Sequence, residues 1–492
     1  MSFQNLFNVQ PGQMNSAALD QSQAEELAKT MTAGHSYLGA PTALTGLGAL
    51  QMESIDGTLK SVTYDATNLV FWPSVPQDKA YSLVEQYVRT NSYGDGGSPY
   101  IPEAGSPSMN DSEYNRHAQK VVFFATRRGV SLPATMVKTN FGIDQESIQS
   151  EAGTLWMLEK LERELYFGNA HFADADGKFS GSVNSIPVKL QNLNLAGTEQ
   201  QIRNGDSDAT AMSQAFDGFG GDQSVISDMQ GQVLDEESIE VLANIIVENF
   251  GSPKEIHGEP RTMSDFIKAF YPKERVNSLG VLDGRAGYIV KTMATTAGDI
   301  SLKANVFLRR KESPKSQSDR AGVPNSPVSA TATVSAGESK FVAGDSFAYA
   351  VTACNEQGEG SSFASASAVI VNDGEHVSIA IAQPAGGAAP THYAIYRTSK
   401  QGAGQKMFVG YIARTGSTTT FRDIGSKVQG SSTAFLLDMR AELIVWKQLC
   451  PLMKLNLAQV SMAKEFILWL SGCLILAAPR KLGLFTNIGR AS

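Results

Sequence analysis

One stretch restricts this chain more than any other: DQESIQSEAGTLWMLEKLERELYF, Asp144–Phe167. Ile148, Ala152, Leu155, Leu158, Leu161 and Leu165 recur at steps of three and four, which places them on one face of a helix. At about 1.5 Å per residue the helix runs roughly 36 Å, more than a small domain needs. Asp144 suits the N-cap and Glu146 the positive end of the helix dipole, while Gly168 stands where a left-handed C-cap residue belongs. Glu159 with Arg163, and Lys160 with Glu164, form i,i+4 pairs expected on the solvent side. Segments before the helix read as arms. Segments after it read as sheet, short helices and one self-contained insert.

The rest of the composition bounds the class. A chain of 492 residues suggests two to four domains, and 42% hydrophobic residues suffice for real cores. Charged residues are only 18% and glycines number 45, a mix that suits strand, loop and surface buried against other chains. The net charge of -8 argues against a dedicated nucleic-acid binder, though not against a container for DNA. The cysteines Cys354, Cys450 and Cys473 lie far apart and make no CxxC pair, so a reducing site of folding is expected. MSFQNLFNVQPGQ lacks the basic and apolar regions of a secretion signal. The apolar run Phe466–Ala478 is too short to span a bilayer and ends at Pro479, Arg480 and Lys481. A soluble protein with no membrane partner is expected.

Met1–Gly34 is polar; a helix over Asn15–Ala33 would be marginal alone, so the segment reads as an arm. Pro41–Ala66 is loop. Ser82–Thr90 alternates, with Val84 and Val88 opposite Glu85 and Tyr87, and reads as a strand; Lys120–Thr126 (KVVFFAT) reads as the next. Between them Asn91–Asn115 holds Gly94, Gly96, Gly97 and Gly105 with Pro99, Pro102 and Pro107. So long a structureless loop is uncommon in a compact domain unless it has a task, and an arm reaching over a neighbouring subunit is the functional reading. Arg127 and Arg128 at the strand end are expected to be ion-paired surface rather than a phosphate grip.

Asn169–Met229 reads as loop. HFADADGKFSG lacks the acid and the Glu of a calcium loop at Phe172 and Val183, and FDGFGG lacks the GK[ST] of a P-loop. Leu234–Gly251 is a second helix, with Asp235 as cap, Leu234 as staple, and Ile239, Leu242, Ile246 and Phe250 on its face. A shorter helix is expected over Asp265–Tyr271, capped by Ser264 and stopped by Pro272. Strands are expected at Gly287–Val290 and Ile300–Leu308 around the turn TTAGD. Lys311–Pro327 is a linker by composition. From Val328 to about Gly430 short alternating strands follow one another: Ser346–Ala353, Ser367–Val371, His376–Ala382, His392–Thr398 and Met407–Ala413. They describe a β-sandwich similar to immunoglobulin-like or fibronectin type III-like modules, carried by Tyr349-x-Val351-x-Ala353, the turn Asn355–Ser362 and Tyr393-x-Ile395-Tyr396-Arg397. The block after Gly430 is too small and apolar to stand alone. It is expected to pack on the part before Arg310, which makes the sandwich an insertion.

This order of parts, with SYGDGGSPYIPEAGSP before VVFFATRRGVSLP and PLMKLNLAQVSMAKEFILWLSGCLILAAPRKLGLFTNIG near the end, resembles the major capsid proteins of tailed bacteriophages. The resemblance implies an α+β Hong Kong 97-like capsid fold with an all-β immunoglobulin-like insertion. It implies an N-terminal arm at 1–66, an E-loop hairpin region at 67–141, peripheral and axial core at 142–316, the insertion at 317–430, and the rest of the core at 431–492. Asp144–Phe167 would be the spine helix and Asn91–His117 the E-loop tip. The tip has no lysine, and Lys120 lies at its base, so covalent crosslinking through a tip lysine is not expected. The implied partners are other copies in hexamers and pentamers, a scaffolding protein, a portal, a decoration protein and packaged DNA touched without sequence preference. The implied location is the virion, assembled in the host cytoplasm.

No catalytic constellation is present to compete with this. His35, His117, His171, His257, His376 and His392 make no HExxH, and no GxSxG elbow exists, so no catalytic residue, cofactor or metal ligand is assigned and the chain is not read as an enzyme. An encapsulin-like compartment, and a glycan- or surface-binding protein that uses the sandwich, are the alternatives.

Overall fold

The computed structural model describes residues 63–94, 100–136, 144–168, 195–206, 224–274, 292–309 and 313–490, apart from 102, 107–108, 110, 356, 365–367, 401, 403 and 460–461. The arm at Met1–Gly34, the loops around HFADADGKFSG and FDGFGG, and the strand expected at Gly287–Val290 lie outside these residues. Among the described residues the class is α+β, as expected.

The long helix forms over Gln145–Phe167, with the Asp144 side chain accepting from the Glu146 amide. Its buried side is Gly153, Met157, Leu161, Glu162, Leu165 and Tyr166. That face is turned from the one the leucines suggest: Ala152 is exposed, and Leu155 and Leu158 are half-buried. Two causes are visible. At Gly153 the helix approaches a sheet so closely that a Cβ would lie 2.7 Å from Leu468 Cδ1. Further along, Glu162 and Tyr166 enter the core as polar groups, which hydrophobic periodicity cannot count.

Gly168 is not left-handed, contrary to expectation; its φ is -55° and ψ 133°. It is glycine for space, because a Cβ there would sit 2.2 Å from the Leu195 carbonyl and 2.4 Å from that of Glu164. The chain returns at this point, with the Gly197 amide donating to the Gly168 carbonyl at 2.8 Å. Glu164 is correspondingly drawn inward instead of pairing with Lys160 in solvent; its Oε2 accepts from the Leu195 amide at 3.2 Å. Burial raises its carboxyl to about 7 from an ordinary 4.5. A folded value above the unfolded one means that ionisation opposes folding. Stability is therefore full below about 4.5 and declines as pH rises towards 7. Glu164→Gln keeps the acceptor and removes the charge. It is expected to raise the melting temperature at pH 8 and to leave it unchanged at pH 4, which thermal denaturation at the two pH values checks.

Strands β1 (Gln77–Lys79), β2 (Val84–Ser92), β3 (Glu113–Lys120) and β4 (Val122–Ser131) precede this helix. β2 pairs with β3 in an antiparallel ribbon, Val84 opposite Lys120 through Ser92 opposite Glu113. The hairpin partner therefore begins inside the stretch read as loop, Asn91–Asn115, and ends at Lys120, where the next strand is expected to start. The apolar strand expected at Lys120–Thr126 is β4, which leaves the hairpin for a different sheet. EYNRHAQK has no apolar alternation; its pairing is set by the register opposite β2, which local composition does not reveal.

After the long helix come β5 (Ile226–Asp228), β6 (Glu255–Gly258), β7 (Thr292–Thr295) and β8 (Gly298–Ala304). The helix Glu236–Glu248 is capped by Asp235, and buries Ile239, Leu242, Ala243 and Ile246. Phe250 is exposed instead of joining that face, because it lies past the helix end in the left-handed conformation (φ 62°). Helix Pro260–Glu274 starts earlier than Ser264 and runs through Pro272. The hairpin β7–β8 turns at Thr296-Ala297, and Val306 falls outside β8 in a short 3-10 helix.

The sandwich consists of β9 (Ser329–Ala336), β10 (Ser346–Phe347), β11 (Tyr349–Asn355), β12 (Gly358–Ala364), β13 (Val369–Ile370), β14 (Glu375–Ala382), β15 (His392–Arg397), β16 (Met407–Ala413) and β17 (Thr418–Asp423). Sheets β12-β11-β15-β16 and β17-β14-β9 enclose one core of Tyr349, Val351, Val377, Ile379, Ile395 and their neighbours. The turn expected over Asn355–Ser362 is mostly β12. At its base Arg397 pairs with Asp423 at 2.6 Å, both buried, with the guanidinium over Phe341 and Phe347.

The chain then returns as β18 (Ser432–Leu437), β19 (Ile444–Asn456), β20 (Ala463–Leu476) and β21 (Gly483–Ile488). One mixed sheet runs β5-β21-β18-β6-β8-β7 and another β1-β19-β20-β4, so the last strands complete sheets begun before the sandwich. Arg127 pairs with Glu465 across β4 and β20, as surface arginines do.

Candidate functional site

Among the described residues, the functional features are the long β2–β3 arm and what fixes its root. The root begins at Glu162. Its Oε1 accepts from the amides of Val70 at 3.1 Å and Phe71 at 2.7 Å, and from Asn305 Nδ2 at 2.7 Å; its Oε2 accepts from the Trp72 amide at 2.8 Å. Four donors on one fully buried carboxylate fasten the segment before the arm to the long helix. The same network closes behind it. Asn305 also donates to the Tyr166 hydroxyl at 3.1 Å, Tyr166 lies 2.7 Å from His257 Nδ1, and His257 Nε2 lies 3.0 Å from Glu255. Burial lowers the His257 imidazole, so it is the neutral ring, accepting from Tyr166 at Nδ1 and donating to Glu255 at Nε2. Phe71 stacks on Tyr166 at 4.6 Å and Trp72 meets Trp446 edge-on at 5.4 Å. β1 then adds to the sheet beside β19, parallel to it.

The arm leaves from this fixed base. Period-two alternation gives it two faces. Tyr87, Arg89 and His117 face inward: Tyr87 stacks on His117 at 5.7 Å, and Arg89 Nη2 donates to the Tyr87 hydroxyl at 3.1 Å and to the Leu476 carbonyl at 3.3 Å. Val84, Val88 and Tyr114 face outward, with Val88 and Tyr114 each 61% exposed. Towards the tip, Tyr93 (88%), Tyr100 (87%) and Met109 are still more open. The inner face thus clamps the root, and the outer face and tip expose large apolar groups.

A second uncovered feature is the far half of β19. β1 pairs only with Trp446–Gln448, and beyond it Leu452, Met453 and Leu455 are exposed along a strand that has no further partner on that side among the described residues. Such an edge is a liability in a monomer and is normally covered.

Similar proteins are found along nearly the whole chain. Over 479 residues, 94% of this chain and 95% of the relative, the chain is 22% identical to the putative major capsid protein of Enterococcus phage phiEF24C. It is 22% identical to the major capsid protein of Staphylococcus phage K, again over 94% of this chain and 95% of the relative. This chain is a relative of phage major capsid proteins along nearly its whole length. The capsid structure of cyanophage P-SCSP1u is a looser likeness, with 8% identity, TM-score 0.43, and 92% of this chain and 97% of that one covered. No protein-family model matches the chain.

Among the described residues, no group of three or more His, Cys, Asp or Glu is placed to hold a metal ion, and no helix is long and apolar enough to cross a membrane. Cys354 and Cys473 are buried and form no disulfide, and burial pushes the Cys473 thiol up to about 12, so its nucleophilic form is scarce at neutral pH. Sequence reasoning located the arm by its glycines and prolines. It missed the Glu162 clamp, whose only signal is a charged residue out of phase on an otherwise ordinary helix.

Proposed function

We propose that this chain is the major capsid protein of a phage: a structural, non-catalytic subunit of Hong Kong 97-like fold, carrying an immunoglobulin-like module at 317–430. Copies assemble into hexamers and pentamers that close into an icosahedral head around double-stranded DNA, and the protein is located in the virion. The observation that carries this reading is the near end-to-end relationship to phage major capsid proteins. The geometry supplies the mechanism. A rigidly rooted arm whose outer face exposes Val84, Val88 and Tyr114 lies over a neighbouring copy, and several modest contacts linked in one body sum to a stable lattice. A scaffolding protein, a portal, a decoration protein and DNA are the further partners of such a head. The sequence relatives favour this reading over the encapsulin-like compartment. Electron microscopy of the purified chain across a concentration series tests it: closed shells are expected, and a protein that stays monomeric under every condition overturns it.

A further inference from the structure

Where the long helix, the linker and the sandwich meet, a cleft of ≈ 470 Å³ opens, lined among others by Arg163, Arg309, Lys315, Glu359, His392 and Tyr411. Arg163, Arg309 and Lys315 are exposed cations contributed by the helix and by the chain entering the sandwich. Glu359 is the one acid among the described residues of the wall and lies buried in its floor, where Oε1 accepts from Thr352 Oγ1 at 2.6 Å and from the Tyr396 hydroxyl at 2.5 Å. His392 and Tyr411 form an aromatic wall, edge to face at 5.3 Å. The mouth is therefore cationic in a chain whose net charge is -8.

The tip of the arm has the opposite character, with Arg89, Arg116, His117 and Lys120 flanking it on β2 and β3. From Thr90 to Asn115 the sequence holds Asp95, Glu103, Asp111 and Glu113, and not one Lys, Arg or His. Glu103, Asp111 and Glu113 are exposed. Beside them Tyr93 and Tyr100 offer rings suited to an aromatic wall. We infer that the cleft is the receptor for the acidic arm tip of a second copy, a contact that rests on the assembly reading above and gives it a specific address. Opposed charges steer the tip to its seat and set the register between copies; the apolar residues supply contact once it is there.

A charge swap in the full chain tests this. The variants are R309E/K315E, E103K/D111K, and the four changes combined. The readouts are the threshold concentration for shell formation, by sedimentation and electron microscopy, and the melting temperature of the unassembled subunit. Each two-residue variant is expected to raise the threshold about tenfold with melting unchanged, and the combination to restore it to within about threefold. Should reversal in the cleft lower the melting temperature, R309Q/K315Q replaces it and is expected to flatten the salt dependence of the threshold. Assembly of either two-residue variant at the unmodified threshold overturns the inference, as does a combination no better than the worse of the two. So does normal assembly with loss of packaged DNA alone, which would assign the cations to phosphate. Failure of the unmodified chain to form shells at all would instead overturn the capsid reading.

Discussion

Replacing Glu162 with alanine is expected to destabilise the subunit by about 2–4 kcal/mol, because several buried donors lose their acceptor at once. The side chain is fully buried and accepts from three consecutive backbone amides and from Asn305. Alanine leaves those donors in the core without acceptors, and each unsatisfied buried group costs about 1–3 kcal/mol. The individual costs do not add, because the Val70–Trp72 segment can move away as a unit and reach water. Such movement would itself release the root of the arm. Glu162→Gln is the informative companion. Its oxygen still serves Val70, Phe71 and Asn305, but its amide nitrogen then faces the Trp72 amide, donor against donor. An intermediate loss is expected. Urea denaturation of the unassembled subunit gives both values. A loss below about 1 kcal/mol for the alanine variant, no more than an ordinary surface change causes, would show that the clamp does not hold the arm's root.

That clamp also marks where sequence reading stops. The long helix, the helix after Asp235 and most of the sandwich were legible because apolar period, caps and turn residues report local geometry. The rotation of the long helix was not, because Glu162 and Tyr166 are buried by partners far away in sequence, Phe71 and His257 among them. The helix Thr198–Asp206 was missed for the same reason. TEQQIRNGD reads as polar loop, yet Ile202 and Gln201 are buried. Gln201 satisfies the chain of β20 by donating to the Leu474 carbonyl at 2.9 Å and accepting from the Leu476 amide at 3.0 Å. A polar side chain that completes another strand's hydrogen bonds leaves no trace in its own neighbourhood. The candidate site divides in the same way. The tip was visible as glycine and proline without a core, whereas β3 was hidden because only its register with β2 makes it a strand.

Removing Gly94–Pro107 is expected to abolish assembly while leaving the subunit folded, and this is the largest effect the structure implies. Among the described residues, none of the buried clusters draws on that stretch, so no described core is lost. β2 and β3 end at Ser92 and Glu113, and Tyr93 with Ser108–Ser112 remain to join them, a connection of ordinary hairpin length. The melting temperature should therefore stay where it was. What disappears is the contact that an arm makes beyond its own subunit. Tethering a second contact to a first raises avidity by about 10²–10⁴ without changing either contact's chemistry. Losing it should raise the threshold for shell formation at least about a hundredfold, beyond the concentrations at which the intact chain closes. The β19 edge alone would then leave, at most, small open oligomers in sedimentation. If the shortened chain still builds closed shells of normal size at the intact chain's threshold, the arm is not what joins the copies, and the lattice must be held by the exposed half of β19 instead.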